Sequence, residues 1–109
     1  EREKIAETVR DSAYHIIGYK GATYFAIGLA LVRIVGGILR NERSVLTVST
    51  LLTGEYGIQD VCLSVPCIVS RHGIERVVEG PLSNDEKSDL EHSARVLKRT
   101  LADISRDAT

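Results

Sequence analysis

The residues of this sequence able to carry chemistry are few: two cysteines, three histidines, and a threonine between two helix-forming stretches. Cys62 and Cys67 lie five apart on a strand pattern, which puts them on opposite faces. Neither a zinc pair nor a close disulfide follows from that spacing, and both read as small buried hydrophobes. His15, His72 and His92 fall on a helix, in a hairpin turn and on another helix. No Cys, Asp or Glu stands at metal-ligand spacing around them, so no metal is expected and all three take surface or supporting roles. Arg71-His72 offers two cationic groups to a phosphate, although basic turn residues are more often simply solvated. Asp85 and Glu86 are better explained by a helix start than by acid–base work. Gly36-Gly37 lies inside an apolar helix, and Gly18 with Gly21 has no strand before it, so no phosphate-cradling loop is present. Thr23 is the remaining position. After Gly-Ala and before an apolar helix it reads as a cap, while a break between helices also exposes its hydroxyl and methyl to a pocket.

Positioning falls to three helices and three strands. From Glu3 to Ile17 the residues Ile5, Val9, Ala13, Ile16 and Ile17 recur at helical spacing, and the helix should stop between Gly18 and Gly21. The stretch Ala22 to Leu39 approaches a membrane span in length. Arg33 near its centre would cost roughly 3 kcal/mol there, so a buried helix of a soluble protein is expected. Apolar on nearly every side, that helix needs cover all round, more than 109 residues readily supply, which points to a missing domain or a subunit partner. Val45 to Leu52 is β-branched and breaks at Gly54. Val61, Leu63, Val65, Cys67 and Val69 alternate with Cys62, Ser64, Pro66, Ile68 and Ser70, with Pro66 predicting an edge position or a bulge. Arg71-His72-Gly73 then turns into a third strand, Ile74 to Glu79, paired antiparallel with the second. Ser83 and Glu86 form a capping box, and Leu90, Ala94, Leu97, Leu101 and Ile104 make one stripe before a tail expected to fray from Ser105. The order helix, helix, three strands, helix predicts an α+β domain, its helices packed on a small antiparallel sheet.

With 43% hydrophobic and 27% charged residues and a formal charge of −1, the 109 residues make one globular domain, 1–109. No basic block marks a nucleic-acid partner, no leader or span marks a membrane, and two cysteines suit a reducing, cytoplasmic compartment. Glu1 is not an initiator Met, so a piece of something longer is expected.

The run Val9-Arg10-Asp11-Ser12-Ala13-Tyr14-His15-Ile16-Ile17, followed by Lys20-Gly21-Ala22-Thr23-Tyr24-Phe25-Ala26-Ile27-Gly28, resembles the substrate-domain helices of the L-lactate dehydrogenase family. Val45-Leu46-Thr47-Val48-Ser49, Gly54-Glu55-Tyr56-Gly57-Ile58 and Asp60-Val61-Cys62-Leu63-Ser64-Val65-Pro66 continue the likeness, and Gly73-Ile74, Leu82, Glu86, Ser93-Ala94 and Leu97-Lys98 close it. The resemblance covers essentially the whole chain. It implies the C-terminal substrate-binding and oligomerisation domain of a cytoplasmic, tetrameric glycolytic oxidoreductase that interconverts pyruvate and L-lactate with NAD (NADH). It also implies that Thr23 and Ala13 line the substrate pocket and that Ile27 packs on the nicotinamide ring. The family's glycine fingerprint, catalytic His with its orienting Asp, and keto-acid-binding Arg residues would all precede Glu1, in an N-terminal NAD-binding domain absent from this chain. No catalytic residue is therefore expected in the chain, which alone should be inactive. The residues agree, since hydride transfer to a ketone needs a proton donor and a fixed cation, and no such pair converges here. Fructose bisphosphate, an activator of bacterial members through upstream residues, is an implied further ligand. Malate dehydrogenase, of the same fold, is the rival reading, although Gly21-Ala22-Thr23 resembles the lactate enzyme more. A non-enzymatic module docking a partner through its apolar helix is the reading from another class.

Overall fold

The computed structural model describes residues 1–20 and 24–108. They divide into two units, Glu1–Gly36 and Gly37–Thr109.

The first unit holds α1 (Arg2–Lys20) and most of α2 (Tyr24–Leu39). α1 outlasts its periodic stripe by one turn and ends at Lys20, within the Gly18 to Gly21 window predicted for its stop. Of its stripe Ile5, Val9 and Ile17 are exposed and Ile16 is half-buried. α2 carries the most apolar run of the chain, yet Phe25, Ile27, Leu29 and Val32 lie open, with Leu29 at 73% exposure. Only its C-terminal end, at Gly37 and Ile38, is drawn into a core. Among the described residues no helix is long and apolar enough to cross a membrane.

The second unit is a three-stranded antiparallel sheet, β1 (Ser44–Thr53), β2 (Gln59–Ser70) and β3 (Gly73–Val77) in spatial order β1-β2-β3, followed by α3 (Asn84–Asp107). Alternation at period two decides the faces. Leu46↔Cys67, Val48↔Val65, Thr50↔Leu63 and Leu52↔Val61 pair toward the core; Val45↔Ile68, Thr47↔Pro66, Ser49↔Ser64 and Leu51↔Cys62 pair on the other face. Val61, Leu63, Val65, Cys67 and Val69 join Leu52, Ile58 and Ala94 in one buried cluster, with Leu90 of α3 packed against it. This is the α+β arrangement predicted, with α3 on the sheet.

Several local expectations are corrected. Cys62 is exposed and only Cys67 is buried, because an odd separation along a strand sends the two thiols to opposite faces. Pro66 lies in the central strand, not at an edge. It is tolerated because β3 has ended at Val77, where Glu79 was expected to be its last residue. Val78 still donates its N–H to the Pro66 carbonyl at 2.7 Å, but Pro66 has no N–H to return. The Tyr56 hydroxyl takes that role, donating to the Val78 carbonyl at 3.3 Å and accepting the Gly80 N–H at 3.1 Å. A bulge does form in the same strand pair, between Ile68 and Val69. α3 starts at the predicted capping box, Ser83 Oγ accepting from the Glu86 N–H while the Glu86 carboxylate accepts from the Ser83 N–H. It does not fray at Ser105 but continues to Asp107, and its stripe covers the core only through Leu90 and Ala94, leaving Leu101 and Ile104 exposed.

Candidate substrate and cofactor face

Of the three site residues, Thr23 and Ala13 for the substrate pocket and Ile27 for the nicotinamide ring, Ile27 alone is described with its side chain. Thr23 lies outside the described residues, and with it the predicted cap of α2; Ala13 sits in the middle of α1 with its side chain likewise outside them. Ile27 lies in the first turn of α2 and is 58% exposed. At 3.6 residues per turn, Tyr24, Ile27, Gly28 and Leu31 share one face of that helix. The Tyr24 ring leans on Phe25, centroids 4.8 Å apart, and a Cβ at Gly28 would meet nothing within 4 Å. The face is aliphatic and aromatic, with a gap at the glycine. Around Ile27 and Gly28 it offers van der Waals contact to a flat apolar ring.

The polar side of α1 was not singled out from the sequence. Lys4, Thr8, Asp11, Ser12 and His15 border a concavity of about 520 Å³. The signal was present, as these residues recur at helical spacing beside the apolar stripe, whose Ile16 also lines the concavity. Two of its hydroxyls are already engaged. Thr8 Oγ1 donates to the Lys4 carbonyl at 2.8 Å and Ser12 Oγ to the Val9 carbonyl at 2.7 Å, the local bonds that Ser and Thr make within helices.

In the second unit the Arg71-His72 turn shows why it makes a poor phosphate cradle. Its backbone donors are used: the Arg71 N–H goes to Asn41 Oδ1 at 3.2 Å and the His72 N–H to Ser70 Oγ at 3.1 Å. Close by, Arg43 Nη2 lies 2.9 Å from Glu75 Oε2. The Arg43 hydrogen bonds, helped by Ser70, hold the Glu75 carboxyl below its ordinary range. Glu55 is lowered too, chiefly by the Thr53 N–H that it accepts at 2.7 Å. Burial pushes the Cys67 thiol up, an inert core cysteine. Asp85 and Glu86 open α3, and His15, His72 and His92 are all on the surface. Among the described residues no three His, Cys, Asp or Glu side chains gather as a metal site.

Comparison with known proteins matches residues 1–107 to the lactate/malate dehydrogenase, alpha/beta C-terminal domain. The chain belongs to that family. An L-lactate dehydrogenase of Treponema denticola is 60% identical over 105 residues, which are 96% of this chain and 33% of that protein. L-lactate dehydrogenase 2 of Bacillus cereus is 51% identical over 94% of the chain and 32% of its own length. This lactate/malate dehydrogenase domain thus spans about a third of the length of the curated relatives it matches. Among solved structures, the minor L-lactate dehydrogenase of Enterococcus mundtii in its ligands-bound form superposes with a TM-score of 0.88 at 39% identity, over 94% of this chain and 32% of that one. The malate dehydrogenase of Archaeoglobus fulgidus in complex with NADH gives 0.87 at 31% identity, over 96% and 35%.

Proposed function

We propose that this chain is the C-terminal part of an NAD-dependent L-lactate dehydrogenase, which interconverts pyruvate and L-lactate by hydride transfer. The 60% identity to the Treponema denticola L-lactate dehydrogenase, across nearly the whole chain, carries the reading. Nicotinamide dinucleotide supplies the hydride when bound. The residues present fit one part of it: Ile27 is open to an approaching ring and Gly28 beside it leaves room. Ile27 packs on the nicotinamide ring and keeps water from that face, while Thr23 and Ala13 wall the keto-acid pocket. The rest of the cofactor, the proton donor and the cation for the substrate carboxylate belong to an N-terminal NAD-binding domain outside this chain, so residues 1–109 alone are inactive. The whole protein is a cytoplasmic glycolytic homotetramer, with fructose bisphosphate as a candidate activator.

The malate reading draws on the 31% identity to the Archaeoglobus fulgidus enzyme, the weaker of the two likenesses. A steady-state assay of the full-length protein separates them by following NADH consumption with pyruvate or with oxaloacetate. A higher kcat/KM for pyruvate is expected. Preference for oxaloacetate would transfer the assignment to malate, and turnover of neither would leave a docking module.

A further inference from the structure

α2 is 16 residues long, yet only its last turn reaches a core, through Gly37 and Ile38. Within this chain its direction therefore depends on how the backbone passes from Leu39 into β1. That passage is unusual. Asn41 and Arg43 stand at φ 51 and 53, two of the four non-glycine residues with positive φ among those described. Side chains enter that left-handed region at a cost. Asn41 ends the helix in it: its N–H donates to the Ile38 carbonyl at 3.1 Å and the Glu42 N–H to the Gly37 carbonyl at 2.9 Å, the paired bonds of a left-handed helix end.

Every side chain from Arg40 to Ser44 is then engaged. Glu42 accepts Arg40 Nε at 2.8 Å and Ser44 Oγ at 3.2 Å, both from within the connection. The other two side chains reach across to the β2–β3 hairpin. Asn41 Oδ1 accepts the Arg71 N–H at 3.2 Å, and Arg43 donates Nε and Nη2 to Glu75 Oε2 at 3.3 and 2.9 Å. An ion pair as exposed as Arg43–Glu75 adds little to stability, and left-handed backbone subtracts from it. What the two tethers deliver is a fixed geometry, because the hairpin holds both left-handed residues at once.

We propose that Asn41 and Arg43, tethered to Arg71 and Glu75, are positioning residues that set the direction of α2 and through it place Ile27 against the nicotinamide ring. This role rests on the Ile27 contact proposed above. Ile27 lies 12 residues before Leu39, about 18 Å along the helix, so a tilt of roughly 10° at the C-terminal end displaces it by about 3 Å. A gap of about 1 Å already forfeits up to about half of a van der Waals contact. A small loosening of the joint is thus large at the ring.

The test is fluorescence titration of NADH on the full-length protein, with melting temperature read beside it. Asn41→Gly combined with Arg43→Gly leaves a backbone free to take positive φ and removes only the two tethers. The combination is expected to weaken NADH binding about fivefold or more with little change in melting temperature, a split that a merely structural role would not produce. Asn41→Asp combined with Arg43→Lys retains an acceptor and a cation, and is expected to return affinity to within about twofold of the wild type. Glu75→Ala leaves the backbone of the connection untouched, is expected to weaken binding in the same way, and stands in should the double glycine variant not fold. Unchanged affinity in Glu75→Ala or in the folded double glycine variant overturns the proposal. So does an equal loss in the conservative pair, or a loss that only tracks a lowered melting temperature. Ile27→Asn, titrated alongside, separates the joint from the contact: weakened binding there with intact binding in the joint variants removes the joint and leaves the contact standing, whereas intact binding in all of them removes both.

Discussion

At the scale of single residues, Ile27 and Tyr56 show two ways in which a side chain answers a demand from outside its own element. Ile27 is an aliphatic side chain left open in the first turn of a helix, a cost in water that contact with an apolar ring would offset. Ile27→Asn in the full-length enzyme is expected to weaken NADH binding about tenfold or more, since an amide facing a ring has no partner, and fluorescence titration of NADH reads it. Unchanged affinity removes the contact. Thr23→Gly is expected to loosen the preference for pyruvate over oxaloacetate with little change in melting temperature; the opposite pattern returns Thr23 to a capping role. Tyr56 is held at φ 55, uncommon for a bulky side chain. Its N–H is accepted by the Glu79 carboxylate and its hydroxyl serves Val78 and Gly80, so the surroundings over-determine it. Tyr56→Phe strands the Val78 carbonyl that Pro66 cannot satisfy. A loss of about 1–2 kcal/mol in denaturant unfolding is expected.

At the scale of elements, legibility followed how local the cause was. The start of α3 was readable because Ser83 and Glu86 satisfy each other's backbone within four residues. Ser83→Ala is accordingly expected to cost about 1 kcal/mol, seen as a lowered melting temperature with the sheet unchanged. The pairing of β2 with β3 was readable from a short turn and period-two alternation. The end of β3 was not, because its apolar pattern runs on past Val77. What stops it is Pro66 on the neighbouring strand, a partner known only once the register is known. The same holds for α3, whose stripe continues to Ile104 although the sheet beneath it gives cover only as far as Ala94.

At the scale of the whole molecule, two carboxylates tie stability to acidity. Glu75 is held below its ordinary value of 4.5 by Arg43 and Ser70, and Glu55 by Thr53. Because the folded chain then binds fewer protons than the unfolded one, their contribution is present above pH 4.5 and fades as pH falls through the folded value. Melting temperature is expected to drop over that acid window, and Glu75→Gln to make the drop shallower. The joint between α2 and β1 belongs to this scale too, since it is invisible until antiparallel pairing brings Arg71 and Glu75 beside the start of β1. The sequence by itself determined the element types, the α+β class, the period-two alternation of β2 and the family, because periodicity, capping and shared motifs are properties of neighbours along the chain. Only the tertiary structure decided that Pro66 stands in the central strand, that Cys62 is exposed while Cys67 is buried, and that α2 lies open along most of its length. Burial is decided by what covers a residue, and cover comes from segments distant in sequence.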